Sequence, residues 1–205
     1  MPGPVDRALT ALLTSRAVMP VKHAVRDLWW SLRGFWIRPR PLPRSPRSLL
    51  FVCKGNICRS PFAARYAARL LADAGAEGIR CVSAGIAVSR ERISPAAAVA
   101  AARAFGVDLE THQATQLTPA LVEAADLIVV TEVSHVQTLT RQYPRAADRI
   151  VLLPLFGADR SRRGGFARFN IADPYGRPVE VFNACYGHIA EAVSALLRRV
   201  GAIRS

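Results

Sequence analysis

Short apolar runs alternate with longer stretches of helical apolar spacing from residue 48 to the end of the chain. The runs are SLLFVC, IRCVSAG, ADLIVV and RIVLLPLF, and each has the length of one buried strand. Between and after them, apolar residues recur every three or four positions, as on one face of a helix. Strands that alternate with helices form a parallel sheet covered on both faces. We therefore predict a single three-layer α/β domain with a central parallel sheet of about four strands.

Ser-Pro pairs and glycines mark the expected ends of the helices. Ser60 is placed for the N-cap of the first helix, with Pro61 at the first helical position and Gly75 beyond the last turn. The last helix is predicted over residues 178–200. Residues 158–169 are rich in glycine and arginine, and we expect them to form a loop.

Two further segments precede this domain, which we place at residues 48–205. Residues 38–47 contain four prolines and four arginines, a composition that predicts an extended, solvated linker. Residues 1–37 form an N-terminal extension, and the part from 21 to 37 has the spacing of an amphipathic helix. Its apolar stripe consists of Val21, Val25, Leu28, Trp29, Leu32 and Trp36.

The basic, tryptophan-rich stretch 21–37 has two interpretations that the sequence leaves open. It suits a helix lying on an anionic membrane surface, and it suits equally a helix docked on a protein. No nucleic-acid partner is expected, because no known binding module is recognisable. No apolar run is long enough to span a membrane and no secretory signal is evident. We expect a cytoplasmic protein, with membrane association through 21–37 as an open alternative.

The loop after the first apolar run crowds two of the four cysteines of the chain beside an arginine. A structural zinc site needs about four nitrogen or sulfur ligands, and here only Cys53 and Cys58 lie close together. A disulfide between these two would close a very small loop and add little stability. Four scattered cysteines also do not make a disulfide scaffold, which favours a reducing compartment.

The remaining interpretation, a nucleophile within an anion-binding loop, uses every residue of this segment. Ligands of parallel sheets bind beyond the carboxyl ends of the strands, where Cys53 lies. The N–H groups of a tight loop and of the following helix start can bind an anion, and the same groups stabilise a thiolate. Arg59 offers a planar fork for two phosphate oxygens. Gly55 and Asn56 tolerate left-handed backbone angles. We infer a thiolate in a phosphate cradle that needs no metal or other cofactor.

At this point the chain resembles the low-molecular-weight protein tyrosine phosphatases of bacterial type. Three further pieces follow in the order typical of that family: Ser83-Ala84-Gly85, His112-Gln113-Ala114 and Asp173-Pro174-Tyr175. The resemblance covers roughly residues 48–201 and implies that family's fold. It also implies that the phosphate is bound by Lys54, Gly55, Asn56, Ile57, Cys58, Arg59 and Ser60.

The resemblance implies hydrolysis of protein phosphotyrosine in two steps. The thiolate of Cys53 attacks phosphorus and forms a phosphocysteine, which water then hydrolyses. Arg59 and the loop amides stabilise the transferring phosphoryl group. Asp173 is the general acid, and Pro174 restrains it to extended backbone angles. The implied partner is a phosphotyrosine protein, for which a bacterial tyrosine kinase is a candidate.

Supporting roles follow from the same resemblance. Ser60 donates to the thiolate, and Ser83 and His112 help to hold Asn56 in its unusual conformation. Tyr175 forms one wall of the substrate cleft and stacks on the substrate ring. The segment IAVSRERIS lacks the aromatic residue that relatives often place on the opposite wall. For Cys58, two interpretations stay open: a small buried residue, or a thiol that traps oxidised Cys53 as a disulfide.

Three alternative functions are compatible with the fold or the loop. Arginine phosphatases carry Thr where this chain has Ile57, which favours phosphotyrosine here. Arsenate reductases need further redox cysteines after the third strand, and TEVSHVQTLTRQYP contains none. The alternative of a different class is a pseudo-phosphatase, which binds phosphoprotein without turnover.

Overall fold

A four-stranded parallel sheet forms the centre of the part of the chain that the structure describes, with strand order β2-β1-β3-β4. The structure, a computed structural model, describes residues 42–44, 46–76, 78–157 and 165–204. The strands are β1 (Ser48–Cys53), β2 (Arg80–Gly85), β3 (Leu127–Val130) and β4 (Ile150–Leu152). Each predicted apolar run therefore contains a strand, and the predicted α/β fold with a parallel sheet is confirmed.

Helices and two 3₁₀ turns connect and cover these strands. The helices are α1 (Arg59–Asp73), α2 (Ala96–Arg103), α3 (Pro119–Glu123), α4 (Val133–Gln142), α5 (Gly165–Phe169) and α6 (Val179–Arg199). The 3₁₀ turns are Pro144–Arg149 and Leu153–Phe156. None of the helices in the described ranges is long and apolar enough to cross a membrane.

The sheet separates two hydrophobic cores, and β1 contributes to both. Leu49 and Phe51 point into the core that contains residues of α1, α2 and α6, whereas Leu50 and Val52 point into the core beneath α3 and α4. Successive side chains of a strand face opposite sides of its sheet. A strand buried on both faces is therefore apolar throughout, which explains the unbroken run SLLFVC.

The strand order creates a crevice at the carboxyl end of β1. The chain passes from β1 to β2 on one side and then returns across the sheet to β3 on the other side of β1. In open parallel sheets such a reversal leaves room for a ligand beyond the strand ends. Cys53 is the last residue of β1, and Thr131 follows β3 directly.

Three sequence predictions differ from the structure in detail. Ser60 does not cap α1, which begins at Arg59, two residues before the predicted first helical position, and has Cys58 at its N-cap without a side-chain hydrogen bond among the described residues. The Ser60 hydroxyl contacts Cys53 and Asn56 instead. The fourth strand ends at Leu152, since Pro154 has no N–H to continue the ladder. The predicted loop 158–169 ends in the short helix α5.

Helix α3 was not predicted, although its start carries a recognisable signal. Thr118 accepts a hydrogen bond from the backbone N of Leu121 at 3.3 Å, and Pro119 occupies the first turn. The predicted amphipathic stretch 21–37 lies outside the described residues. The end of the predicted solvated linker is partly covered, since Leu42 packs against the core that contains residues of α1, α2 and α6, and Pro46 is buried.

Candidate active site

The loop between β1 and α1 turns around Asn56, which has a left-handed backbone with φ of 55°. Its side-chain amide donates to Ser60 Oγ at 2.8 Å and to Ser83 Oγ at 2.9 Å, and its Oδ1 accepts from the backbone N of Thr115 at 2.8 Å. The Asn56 carbonyl accepts a hydrogen bond from His112 Nε2 at 2.7 Å. Side chains from β2 and from the segment before α3 thus hold the loop in a conformation that most residues disfavour.

His112 acts in this arrangement as a neutral donor. Burial lowers its pKa, and this effect outweighs the hydrogen bond to the Asn56 carbonyl, which would raise it. Because a carbonyl oxygen only accepts, the proton of the neutral ring lies on Nε2. The residue supports the loop from below and does not line the cavity above it.

Gly85 allows β2 to approach the same loop closely. A Cβ atom built on Gly85 would lie 3.0 Å from the backbone N of Asn56 and 2.8 Å from a side-chain carbon of Val88. Both distances are shorter than ordinary van der Waals contacts. A larger residue at the end of the SAG segment would therefore displace the loop.

The thiol of Cys53 lies within this loop and is 2% exposed. Its Sγ accepts a hydrogen bond from the backbone N of Asn56 at 3.3 Å and contacts Ser60 Oγ at 3.1 Å. The Ser60 hydroxyl also accepts from the Asn56 amide, and its own proton has two acceptors in reach, Cys53 Sγ at 3.1 Å and the Ala84 carbonyl at 3.4 Å. These donors, together with the N-terminus of α1, stabilise negative charge on Cys53.

Arg59 is 1% exposed and is held by acceptors from two other segments. Its Nη1 donates to the carbonyl of Ile171 at 2.9 Å and to the carboxylate of Glu132, and its Nη2 pairs with Asp173 Oδ2 at 2.8 Å. Burial alone would lower the pKa of Arg59, but the charges of Cys53, Asp173 and Glu132 outweigh it and raise that pKa. Nε is buried and has no hydrogen-bond partner among the described residues.

Glu132 and His135 belong to the site, and the sequence analysis missed both. Glu132 follows β3 and pairs with Arg59; burial would raise its pKa, but the guanidinium lowers it below the ordinary value. His135 contacts Thr131 Oγ1 through Nδ1 at 3.3 Å and lies 3.9 Å from Glu132 through Nε2. The sequence signal that could have found them is their position after the predicted third strand, because charged residues that follow buried strands of a parallel sheet lie at its ligand-binding edge.

The segment before α6 brings Asp173 and Tyr175 over the loop. The backbone N of Tyr175 donates to Asp173 Oδ1 at 3.3 Å, while Oδ2 faces Arg59. The Tyr175 ring is 51% exposed, and its hydroxyl donates to Glu91 Oε2 at 3.0 Å.

A cavity of about 250 Å³ lies above the loop. Its lining brings together the predicted nucleophile, arginine, general acid and aromatic wall with two small residues from the segment after β2. The lining residues are Cys53, Lys54, Gly55, Ile57, Cys58, Arg59, Ala87, Ser89, Asp173 and Tyr175. Four other predicted site residues do not line the cavity but lie in or against the loop that forms its floor: Asn56, Ser60, Ser83 and His112.

All four cysteines are free. Cys58 is buried, and burial is the main cause that raises the pKa of its thiol, with Asp173 and Cys53 adding to the effect. Burial likewise raises the pKa of Cys81 and of Cys185 to about 12. A protonated thiol is a weak nucleophile. The trapping role of Cys58 stays a hypothesis.

Comparisons with known proteins agree with this geometry. The family model described as low molecular weight phosphotyrosine protein phosphatase matches residues 48–204. The probable low molecular weight protein-tyrosine-phosphatase EpsP of Ralstonia nicotianae is 31% identical over 157 residues, which are 77% of this chain and 98% of the relative. The structure of Vibrio vulnificus Wzb in complex with benzylphosphonate has a TM-score of 0.64 at 34% identity, covering 76% of this chain and 99% of that one.

A relative with a different named activity matches over the same part of the chain. The protein-arginine-phosphatase of Geobacillus stearothermophilus is 27% identical over 157 residues, which are 76% of this chain and 97% of the relative. The family match nevertheless covers more than two thirds of the chain and includes the loop, the Asp173 segment and all four strands. The chain belongs to the low molecular weight protein-tyrosine-phosphatase family of phosphatase enzymes.

Proposed function

We propose that this phosphatase hydrolyses phosphotyrosine in proteins through a phosphocysteine on Cys53, with Asp173 as the general acid. The observation that carries the proposal is the convergence of a thiol, a buried guanidinium and a carboxyl group on one cavity. Cys53 and Arg59 belong to one loop, Asp173 lies more than a hundred residues later in the chain, and all three line that cavity. Phosphoryl transfer asks a protein mainly for this combination of positioning and charge stabilisation.

The unpartnered Nε of Arg59 supports an oxyanion as the ligand. Buried polar donors in proteins are normally hydrogen-bonded, and this one has no acceptor among the described residues. A phosphate bound in front of Cys53 supplies oxygens for Nε and for Nη2, which Asp173 holds at 2.8 Å in the free enzyme. Phosphate binding therefore releases Asp173 from Arg59.

In the first step, Cys53 Sγ attacks phosphorus while the bond from phosphorus to the phenolic oxygen breaks. Asp173 passes its proton to that oxygen, so that tyrosine leaves as a neutral phenol. Arg59 and the loop N–H groups stabilise the charge on the phosphoryl oxygens. In the second step, water attacks phosphorus, Asp173 takes its proton, and the P–S bond breaks to return thiolate and inorganic phosphate.

The cavity favours an aryl phosphate over phosphoarginine. Ile57 and Tyr175 line it and offer apolar surface to a phenyl ring. Benzylphosphonate, the compound in complex with Vibrio vulnificus Wzb, likewise carries a phenyl ring. Phosphoarginine hydrolysis is the second candidate activity, because one matched relative is an arginine phosphatase.

Turnover of three substrates tests the proposal. The substrates are p-nitrophenyl phosphate, a phosphotyrosine peptide and a phosphoarginine peptide, assayed without added metal. The proteins compared are wild type, Cys53→Ser, Asp173→Ala and Asp173→Asn. We expect wild type to hydrolyse the first two, Cys53→Ser to be inactive, and both Asp173 variants to be slowed by about a hundredfold or more. Preference for phosphoarginine would replace the proposed substrate. Phosphate binding without turnover would instead make the protein a phosphate-binding module.

A further inference from the structure

Two segments that line the cavity are joined by one hydrogen bond. The Tyr175 hydroxyl donates to Glu91 Oε2 at 3.0 Å, although the two residues are 84 positions apart in the chain. Glu91 lies in the segment after β2 that also supplies Ala87 and Ser89 to the cavity lining. The hydrogen bond therefore connects the lining segment after β2 with the aromatic side chain that lines the same cavity.

Each end of this connection is fixed by a second, local hydrogen bond. The Ser89 hydroxyl donates to the carbonyl of Glu91 at 3.1 Å, which ties Glu91 to the lining segment. The backbone N of Tyr175 donates to Asp173 Oδ1 at 3.3 Å, which ties Tyr175 to the general acid. Glu91 therefore contacts Tyr175, which is itself hydrogen-bonded to Asp173.

Tyr175 is the one aromatic residue among those that line the cavity. Tyr175 is half exposed, and the Ala87 and Ser89 side chains that share the cavity lining with it are small. A half-exposed side chain samples several rotamers unless a specific contact holds it. The Glu91 carboxylate is the contact that selects one of them.

We propose that Glu91 is a positioning residue that holds the Tyr175 ring as the aromatic wall for the aryl group of the substrate. This inference rests on the proposed function, because it concerns the same cavity. A hydrogen bond between two exposed side chains contributes little to folding stability. Its effect is therefore expected in substrate binding, and the variants should fold normally.

The test compares a ligand that reaches the ring with one that does not. The KM of p-nitrophenyl phosphate reports on the cradle and the wall together, whereas the inhibition constant of inorganic phosphate reports on the cradle alone. The variants are Glu91→Ala, Tyr175→Phe and the double variant. Glu91→Gln keeps an acceptor oxygen, and Glu123→Ala removes an exposed acid from α3 as a control for net charge.

We expect Glu91→Ala and Tyr175→Phe each to raise the KM by about threefold to tenfold, the range of a weakened aromatic contact. The double variant should match the single variants, because both remove the same contact. The kcat, the phosphate inhibition constant and the melting temperature should stay unchanged. Glu91→Gln and Glu123→Ala should stay within about twofold of wild type.

Several results would overturn the inference. The first is a KM in Glu91→Ala that equals that of wild type. The second is a rise in the phosphate inhibition constant as large as the rise in the KM. The third is a KM in the double variant that rises by the product of the two single effects. If wild type does not turn over, the proposed function fails separately. Calorimetric binding of phenylphosphonate and inorganic phosphate to the same variants then decides about Glu91: weaker binding of phenylphosphonate alone supports its role, and unchanged binding rejects it.

Discussion

At the scale of single residues, Arg59 is held in place before any phosphate arrives. Glu132 and the carbonyl of Ile171 bind Nη1, which leaves Nε and Nη2 for the ligand once Asp173 is displaced. A guanidinium has a rigid fork, so fixing one nitrogen fixes the direction of the others. Glu132 thereby orients the arginine without lining the cavity itself.

Removing Glu132 should therefore impair phosphate binding and turnover. For Glu132→Ala we expect kcat/KM for p-nitrophenyl phosphate to fall by about tenfold to a hundredfold, because the buried guanidinium loses its orienting partner. Glu132→Gln retains an acceptor oxygen and should lose less. Steady-state kinetics of both variants, with circular dichroism as a check of folding, provide the measurement. Wild-type kinetics in Glu132→Ala would contradict the role given to this carboxylate.

Asn56 combines a strained backbone with three side-chain hydrogen bonds, and two substitutions separate these contributions. Asn56→Gly and Asn56→Ala both lose the bonds to Ser60, Ser83 and Thr115, so both should melt below wild type. At φ of 55°, alanine is additionally strained by about 1 kcal/mol. Asn56→Ala should therefore melt about 2–4 °C below Asn56→Gly.

Thermal unfolding followed by circular dichroism measures this difference. Asn183→Ala, on an exposed position of α6, is the matched control and should leave the melting temperature nearly unchanged. Equal melting temperatures for Asn56→Gly and Asn56→Ala would show that the left-handed backbone costs alanine nothing.

At the scale of elements, α4 carries a buried histidine that should make stability depend on pH. Burial lowers the pKa of His135 from its ordinary 6.5 to about 4, although Glu132 opposes this shift. Because the unfolded chain binds this proton more readily, the free energy of unfolding should fall as pH drops from about 6.5 to about 4, and His135 should add no further change below that. His112 contributes in the same direction, since its pKa is also lowered.

Urea unfolding at a series of pH values measures this fall. In His135→Gln the decrease between pH 6.5 and 4 should be smaller than in wild type, because that variant has no proton to bind there. Glu132 adds a loss at lower pH, since its own pKa lies below 4.5, and this part should persist in the variant. Identical pH profiles for wild type and His135→Gln would contradict a neutral, buried His135.

The sequence predicted those parts of the site that depend on neighbouring positions. The cradle could be predicted because Cys53, Asn56 and Arg59 lie within seven residues, so one loop determines their arrangement. The role of Glu132 could not be predicted in this way, because its contact with Arg59 requires β3 to lie beside β1. No local sequence pattern shows that strand order. Ser60 is expected both to cap the first helix and to contact Cys53; in the structure its hydroxyl contacts Cys53 and Asn56 and makes no cap, because one hydroxyl does not serve all three places.

At the scale of the whole molecule, the net charge of +13 is unevenly distributed. Residues 1–47 contain nine of the 28 Lys and Arg residues but two of the 15 acidic ones. Basic charge beside a tryptophan-rich stripe attracts anionic lipid surfaces. Of the two open interpretations of residues 21–37, the membrane interpretation predicts that the full chain sediments with phosphatidylserine vesicles and not with phosphatidylcholine vesicles, and less so at high salt.

A variant with Lys22, Arg26 and Arg33 changed to Gln is the control for this expectation. Its sedimentation with anionic vesicles should be weaker, while its hydrolysis of p-nitrophenyl phosphate should match wild type. Absence of sedimentation by the wild-type chain would contradict the membrane interpretation of residues 21–37 and leave docking on a protein as the interpretation to pursue.

The most direct test of the proposed reaction is to identify the phosphorylated atom during turnover. Enzyme is mixed with p-nitrophenyl phosphate, quenched with denaturant within one turnover, digested with trypsin and examined by mass spectrometry. Cleavage after Lys54 places Cys53 and Cys58 on separate peptides. We expect phosphate on the Cys53 peptide, and more of it in Asp173→Ala when hydrolysis of the intermediate is slowed. Turnover with an unmodified Cys53 peptide, or with phosphate on the Cys58 peptide, would contradict the proposed mechanism.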